Sequence, residues 1–372
     1  MSHARVMPSA LHLTVPCPAS LRLQESVVPA PPTLEQAEGE LGHLVARKHA
    51  EGFKEEWSLG RKYTIGQHEL EIDEDMIEGA ALYREEAQPN GRFEETVNIP
   101  DIPECFGTPD WWRVLMEAYI RLLTVIDYKY GHRYVEVFEH YQLIAYAAGI
   151  ARMLGLDLDF PVKLVIIQPR NYTNGYYREW KTTVGEIYRL CAEVIKPRVD
   201  EALGPEPRAI TGKHCLDCHA RHACKTLQTS GMSIVEFIAK GEIHEMPNDA
   251  VGAELRILSE ARKILEARYT GLYEQASNLA RGGFRVPFWG LEAGKSRLKW
   301  KDDTNVESLA AMGDLFNVQL RKPVALITPT QAKNAGLDEG VLEEYSHRPP
   351  GAIKLVPDDA TKTRKIFGEN RT

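Results

Sequence analysis

The sequence has little cysteine, no excess of positive charge and no long apolar run. Six cysteines among 372 residues are too few for the disulfide scaffold of a small secreted domain. The formal net charge is −8, with 45 Lys and Arg against 53 Asp and Glu. This balance excludes a protein that coats nucleic acid through bulk positive charge, although it is compatible with a local basic groove.

The strongly apolar segment 143–151 is far shorter than the roughly 20 residues that a bilayer requires. At the N-terminus, His12, Pro16 and Pro18 interrupt any apolar core of a secretory signal. We therefore expect a cytoplasmic protein with no membrane partner. Apolar residues make up 43% and charged residues 26% of the chain, as in ordinary globular domains.

Hydrophobic periodicity predicts an α/β fold. Predicted helices cover about 33–50, 138–156 and 182–203, and predicted strands cover 92–99, 111–115, 122–126 and 163–168. The order of helix, three strands, helix and strand is typical of a small mixed sheet packed between helices. Residues 51–92 are too polar to assign.

The character of the chain changes after residue 230. Apolar side chains between Val251 and Leu279 recur at alternating spacings of four and three, which predicts one long helix that Gly282 and Gly283 end. This helix either packs on the body as a spine or pairs with another helix. The predicted organisation is a body over 1–230, a helical spine over 231–283 and a small α/β unit over 284–372.

Two acidic residues flank the two central predicted strands. Asp110 directly precedes the first strand and Asp127 directly follows the second, so a hairpin could bring them together. Two carboxylates a few Å apart repel each other unless a divalent cation lies between them. Lys129 points to the same face of the strand as Asp127, where it can orient a metal-bound water. Mg²⁺ or Mn²⁺ in such a site suits phosphodiester hydrolysis.

The spacing of Asp127 and Lys129 is a weak signal by itself. An exposed ion pair at a strand end is the alternative, and Glu179-Trp180-Lys181 repeats the spacing without an apolar strand before it. We interpret that second match as unrelated to catalysis. Gln142 and Tyr146 lie one turn apart on the following predicted helix, which makes the first match more specific.

Three segments, GTPD (107–110), VIDYK (125–129) and QLIAY (142–146), together resemble the RecB-like branch of the PD-(D/E)-x-K nuclease superfamily. The wider sequence is similar to a group of phage- and prophage-encoded proteins of that branch. The resemblance implies a restriction-endonuclease-like core. It also implies a metal-dependent exonuclease that acts on linear double- or single-stranded DNA, in phage recombination or replication or in DNA repair, with the proteins of those processes as partners.

The resemblance also implies roles for individual residues. The implied metal ligands are His43, Asp110, Asp127 and the backbone carbonyl of Tyr128. Lys129 would be the catalytic lysine, and Gln142 and Tyr146 would contact DNA or position Lys129. A solvated helix residue is the alternative for His43. A non-catalytic DNA-binding or scaffold protein that keeps the fold is the alternative for the whole chain, and a zinc-bearing interaction module is a third possibility.

Cys215, Cys218 and Cys224 form a C-x2-C-x5-C segment. Thiolates at this spacing bind zinc or an iron–sulfur cluster, and either site needs a fourth ligand. The distant candidate is Cys17. The local candidates, which favour zinc, are His214, His219 and His222.

A subset of RecB-like nucleases, including CRISPR adaptation nucleases and a double-strand-break repair subunit, has one cysteine before the core and C-x2-C-x5-C after it. This resemblance implies that Cys17, Cys215, Cys218 and Cys224, here called the cysteine staple, hold a [4Fe–4S] cluster. Zinc remains the alternative. Cys105 and Cys191 are interpreted as ordinary buried thiols.

Basic residues could form a local groove along the DNA backbone. They fall in three segments, which are Arg121 to Arg133, Lys213 to Lys225 and Lys295 to Lys301. In the last segment Lys295, Arg297 and Lys299 alternate along an extended stretch, for which a solvated strand is the alternative.

Overall fold

The chain divides into two compact units, Met1–Trp289 and Gly290–Thr372. The computed structural model describes residues 4–28, 31–117, 120–171, 175–240 and 248–291, and the single residues 307 and 340. The predicted small α/β unit and the basic segment 295–301 lie outside the described residues, apart from 284–291 and those two single positions.

The N-terminal part contains α1 (Leu11–Thr14), α2 (Ser20–Glu25) and α3 (Leu34–Glu51). Helix α3 begins where the sequence predicts, because Thr33 and Gln36 form a reciprocal cap. The Gln36 amide donates to Thr33 Oγ1 at 3.3 Å, and the Thr33 amide donates to Gln36 Oε1 at 2.9 Å. The helix ends at Gly52, whose φ of 102° is left-handed.

The unassigned region 51–92 folds into a hairpin and a helix. The hairpin consists of β1 (Lys62–Ile65) and β2 (His68–Glu71), and α4 (Glu74–Glu86) follows it. Asp73 caps α4 by accepting a hydrogen bond from the Met76 amide. The hairpin is mostly exposed, so its strands lack the apolar alternation by which a strand is recognised in a sequence.

Short strands β3 (Arg92–Phe93), β4 (Val97–Asn98) and β5 (Phe106–Gly107) precede the main strands β6 (Trp111–Glu117) and β7 (Ile120–Tyr128). Strands β8 (Pro161–Ile167) and β9 (Tyr177–Thr183) complete a five-stranded sheet in the order β3-β6-β7-β8-β9. Strands β7 and β8 are parallel, and the other pairs are antiparallel. The predicted α/β class, mixed sheet and central hairpin are confirmed.

Two strand predictions were wrong. Residues 92–99 do not form one strand, because Glu94 has a left-handed φ of 41° and separates β3 from β4, which belong to different sheets. The sheet also has the edge strand β9, which includes Glu179 and Lys181. It was missed because its half-exposed side chains do not form an apolar run.

Helix α5 (Tyr141–Leu154) crosses between the parallel strands β7 and β8, with residues 143–151 buried. Helices α6 (Val184–Leu190) and α7 (Lys196–Leu203) pack on the same side of the sheet, joined by a π-helical turn at Cys191–Ile195. The predicted helix 182–203 is confirmed apart from this turn and a start at Val184. Helices α3 and α4 cover the other face, so the sheet lies between two apolar layers.

The last described elements are α8 (Lys225–Lys240) and α9 (Asn248–Arg281). Helix α9 is the predicted long helix, and the chain turns at Gly283 with a φ of 82°. It packs on two short 3₁₀ turns, Lys213–Asp217 and His219–His222. No helix in the described part of the chain is both long and apolar enough to cross a bilayer.

Candidate functional site

The predicted catalytic residues meet at the C-terminal end of β7. The register pairs Trp111 with Ile126, so Asp110 lies opposite Asp127, as the hairpin argument predicts. The parallel strands β7 and β8 both end at this edge of the sheet, the position at which α/β sheets commonly bind ligands. Helix α3 approaches this edge on one face of the sheet and α5 begins near it on the other.

Asp110 joins the hairpin to helix α3. Its Oδ2 lies 2.9 Å from His43 Nε2 and accepts a hydrogen bond of 2.7 Å from the backbone amide of Tyr128. Attraction to Asp110 raises the pKa of His43 to about 9. Burial acts to raise the pKa of Asp110, but the charge and hydrogen bond of His43, the Lys129 charge and the Tyr128 amide together outweigh it, and the pKa is lowered. His43 is thus an ion-paired residue of the site rather than a solvated helix residue.

Asp127 is the most deeply buried member of the site, at 2% exposure. Burial raises its pKa to about 6, although the nearby Lys129 charge opposes this. Lys129 Nζ lies 3.0 Å from Asp127 Oδ2, but the pair lacks the angles of a hydrogen bond. Within the described part of the chain, Asp127 Oδ2 has no hydrogen-bond partner. A buried carboxylate oxygen with unused acceptor capacity is suited to bind a cation.

Gln142 connects Lys129 to helix α5. Lys129 Nζ donates to Gln142 Oε1 at 3.2 Å, and Gln142 also hydrogen-bonds Tyr146, whose pKa is raised by burial. Tyr146 packs against Gly107, because a Cβ added at Gly107 would lie 3.1 Å from Tyr146 Cε1. The three sequence segments that carry the resemblance are therefore in contact with one another.

The side chain of Tyr128 faces away from the carboxylates. Its ring lies 5.1 Å from the ring of Tyr83 in the layer formed by α3 and α4, so only its backbone is near Asp110. The predicted ligand role of the Tyr128 carbonyl is compatible with this placement.

The donor set of His43, Asp110 and Asp127 fits a divalent cation in chemistry, with one nitrogen and two carboxylates. No three His, Cys, Asp or Glu side chains of the described residues stand in ligand geometry around one point. This applies to the cysteine staple as well, and at the strand end His43 pairs with Asp110 and Lys129 with Asp127. A bound cation would compete with the proton on His43 and with the ammonium of Lys129.

Sequence reasoning missed Glu94 and Gln168. Glu94 lines a cleft of about 460 Å³ that His43 and Lys129 also line. The side chain of Gln168, fully buried, donates to the carbonyls of Gly131 and Arg133 at 2.6 and 2.7 Å, so it holds the loop after Lys129. Gln168 ends the predicted apolar strand, which was a usable signal, whereas Glu94 lay inside a segment interpreted as one strand.

Two basic residues considered in the sequence analysis, Lys181 and Arg121, lie apart from the residues at the end of β7. Lys181, 72% exposed, pairs with Glu179 on β9, as expected of an unrelated match. Arg121, predicted to line a basic groove with Lys129, pairs with Asp157 at 3.0 Å. It lies eight residues before Lys129, or roughly 26 Å at 3.3 Å per residue, so it is not beside the strand-end site, and its place in a basic groove stays a prediction.

The four residues of the cysteine staple line one cavity, although Cys17 is distant in sequence from the other three. Backbone amides donate to the sulfurs, with Ile210 to Cys17 Sγ and Leu227 to Cys224 Sγ at 3.4 Å. The backbone amide of Gly212 hydrogen-bonds the sulfur of Cys215, and that of Ala220 hydrogen-bonds the sulfur of Cys218. Hydrogen bonds to sulfur stabilise thiolates and are typical of iron–sulfur sites.

Among the described residues that line this cavity, His214 is the one histidine. Its Nε2 donates to the carbonyl of Ile210 at 2.9 Å, which leaves Nδ1 available as a ligand. His219 is exposed, and His222 Nδ1 lies 3.1 Å from the His219 carbonyl. Cys17 and His214 are therefore both placed at this cavity as candidates for the fourth ligand.

Burial raises the pKa of the Cys17, Cys215 and Cys218 thiols, that of Cys218 to about 11. Without a metal these thiols are neutral at pH 7, and a metal must displace their protons to bind.

Helix α9 covers the segment that contains Cys215, Cys218 and Cys224, since Arg221 pairs with Glu274 and Arg268 donates to the His222 carbonyl.

The ion pair of His43 and Asp110 predicts how stability depends on pH in the metal-free protein. Because the folded pKa of His43 is about 9 and the unfolded pKa is near 6.5, this contribution is complete below pH 6.5. It is lost as the pH rises to 9. We expect a loss of ~1–3 kcal/mol after solvent screening, measured by chemical denaturation in EDTA. His43→Gln should remove this dependence, and an equally steep decline in that variant would contradict the assignment.

One family matches the chain, described as "Protein of unknown function (DUF2800)", and the match covers residues 3–363. It spans the central sheet, the residues at the end of β7 and the cysteine staple. The chain belongs to the DUF2800 family.

Proposed function

We propose that this protein is a Mg²⁺- or Mn²⁺-dependent deoxyribonuclease of the RecB-like branch, an exonuclease that hydrolyses linear DNA. The observation that carries the proposal is the meeting of His43, Asp110, Asp127 and Lys129 at one strand end. Two ion pairs, His43 with Asp110 and Lys129 with Asp127, place two carboxylates, an imidazole and a lysine at one sheet edge, which a structural role does not require. Gln142 and Tyr146 support it from α5.

In this proposal the side chains have distinct tasks. Asp110, Asp127 and His43 bind the cation, together with the Tyr128 carbonyl. A divalent cation in such a site lowers the pKa of a bound water and offsets charge on a phosphate. Lys129, held by Gln142 at 3.2 Å, orients the attacking water and stabilises negative charge that develops on the phosphate oxygens. The backbone amide of Tyr128 keeps Asp110 in place.

We further propose that the cysteine staple holds a [4Fe–4S] cluster. Four sulfurs that line one cavity and accept backbone amide hydrogen bonds support this assignment. The Nε2–H of His214 donates to the Ile210 carbonyl and leaves Nδ1 available, so a zinc site closed by His214 is the alternative that iron analysis must exclude. The cluster would tie the N-terminal segment to the segment after α7, and so hold the two ends of the nuclease core together.

The proposed substrate defines the partners and the setting. A nuclease of this kind acts on linear DNA in phage recombination or replication or in DNA repair, within the bacterial cytoplasm. The net charge of −8 makes affinity depend on local contacts near the site rather than on the whole molecule, so binding should weaken with added salt.

Metal substitution tests the proposed function. With end-labelled linear DNA, we expect cleavage in Mg²⁺ or Mn²⁺, and DNA binding with little cleavage in Ca²⁺. Ca²⁺ accepts looser oxygen coordination and acidifies a bound water less well. Cleavage and gel-shift assays on one preparation separate the two effects. Equal cleavage in Ca²⁺ and Mg²⁺, or none in any divalent ion, would contradict the proposal.

A further inference from the structure

Glu94 occupies an unusual backbone conformation beside the candidate site. Its φ of 41° is left-handed, a conformation that glutamate rarely adopts because it strains the backbone. This residue interrupts what would otherwise continue as one strand between β3 and β4. The surrounding structure therefore maintains Glu94 in a position that its own backbone preference disfavours.

The position of Glu94 is fixed from helix α3. Arg47, one turn after His43 on that helix, pairs with Glu94 through Nη1 and with Glu51 through Nε. The Glu94 side chain, 29% exposed, lines the same cleft as His43 and Lys129. Arg47 thus pairs with two carboxylates. Glu94 lines the cleft, and Glu51 does not.

The charge of Glu94 acts on the site residues. It is among the charges that raise the pKa of His43, after those of Asp110 and Asp127. It also acts on the buried Tyr83 together with those two carboxylates. Glu94 therefore lies within electrostatic range of the proposed cation ligands, at the open side of the site.

An independent observation points to a ligand at this place. Asp127 Oδ2 is buried, and although Lys129 Nζ lies 3.0 Å from it, no described residue makes a hydrogen bond of good geometry to it. The three ligands proposed above leave further coordination positions to water, because Mg²⁺ and Mn²⁺ usually keep several waters in protein sites. Carboxylates that accept hydrogen bonds from such waters strengthen metal binding.

We propose that Glu94 is a further carboxylate of this metal site, a positioning residue that accepts hydrogen bonds from water ligands of the bound cation. The inference rests on the proposed function. Arg47 fixes the Glu94 carboxylate through an ion pair, and the Glu94 side chain lines the cleft beside His43 and Lys129.

Mn²⁺ binding to the full chain tests this role without any DNA cleavage. We expect Glu94→Gln to weaken Mn²⁺ binding by ~10–100-fold, the usual loss when a carboxylate behind a metal ligand is removed. The matched control is Glu51→Gln, which removes a carboxylate from the same arginine outside the cleft and should leave Mn²⁺ affinity unchanged. Free Mn²⁺ is measured by electron paramagnetic resonance during titration.

Each outcome of the titration has a defined meaning. Wild-type affinity in Glu94→Gln, or equal losses in Glu94→Gln and Glu51→Gln, would overturn the role of Glu94. Should Glu94→Gln fail to fold, Glu94→Asn removes the same charge and tolerates left-handed backbone, and the same criterion applies. If Asp127→Asn binds Mn²⁺ as well as the wild type, the metal site itself is wrong and the proposed function fails with it.

Discussion

Lys129→Ala is expected to reduce cleavage of linear DNA at saturating Mg²⁺ by at least ~100-fold, the usual contribution of a positioned catalytic group. Asp127→Ala should abolish cleavage as well, because it removes a cation ligand. Neither change should unfold the protein. Each change breaks the ion pair of Asp127 and Lys129 but removes no apolar packing, and burial already raises the pKa of Asp127 to about 6. Cleavage assays and thermal unfolding in EDTA measure the two effects.

Lys181→Ala is the matched control for Lys129→Ala. Lys181 has the same spacing from an acidic residue, but it is exposed on the edge strand β9 and pairs only with Glu179 among the described residues. It should retain wild-type cleavage, since exposed ion pairs contribute little. Equal damage from Lys181→Ala and Lys129→Ala, or normal cleavage by Lys129→Ala, would contradict the assignment of the catalytic lysine.

Cys17→Ala is expected to remove the cluster as completely as Cys218→Ala, although the two residues are far apart in the sequence. Protein purified without air should be brown with about four irons per chain. Both variants should be pale and should lose stability, by ~2–4 kcal/mol if the cluster restrains the unfolded chain as a long cross-link does. Iron analysis, visible absorbance and denaturant unfolding measure these changes.

Cys105→Ala and Cys191→Ala provide the controls for the staple. Both thiols are buried, but neither lines the cavity shared by the other four, so these variants should keep full iron and lose only the packing of a small side chain. If the purified protein is colourless and contains zinc, the iron–sulfur assignment is wrong and the site binds zinc. Full iron and colour in Cys17→Ala would contradict the staple even if the downstream cysteines still bound metal.

The sequence was sufficient to predict the position of a residue where a periodic apolar pattern and a short spacing between residues agreed. The hairpin of β6 and β7 places Asp110 opposite Asp127 because a short connection between two antiparallel strands leaves few possible registers. Gln142 and Tyr146 contact the site from α5 because residues four apart lie on one face of a helix. The capping pair of Thr33 and Gln36 fixed the start of α3, and thereby the position of His43, within one residue.

The sequence was insufficient to predict strands and residue positions where the backbone is exposed or strained. The hairpin of β1 and β2 and the edge strand β9 are half-exposed, so burial does not impose a pattern on them. The role of Glu94 depends on a left-handed φ that a glutamate does not predict. The convergence of Cys17 with Cys215 depends on long-range packing, and only the family resemblance suggested it.

Cleavage of end-labelled linear DNA and closed-circular DNA by the wild type and Lys129→Ala in Mg²⁺ tests the central claim most directly. The proposed exonuclease should shorten linear DNA progressively from its ends in the wild type, leave closed circles intact, and lose this activity in Lys129→Ala. Labels at the two ends would also reveal the direction of digestion. Wild-type protein that binds linear DNA but releases no label with either Mg²⁺ or Mn²⁺ would contradict the claim, and would leave a DNA-binding protein that keeps the arrangement of a nuclease site without its chemistry.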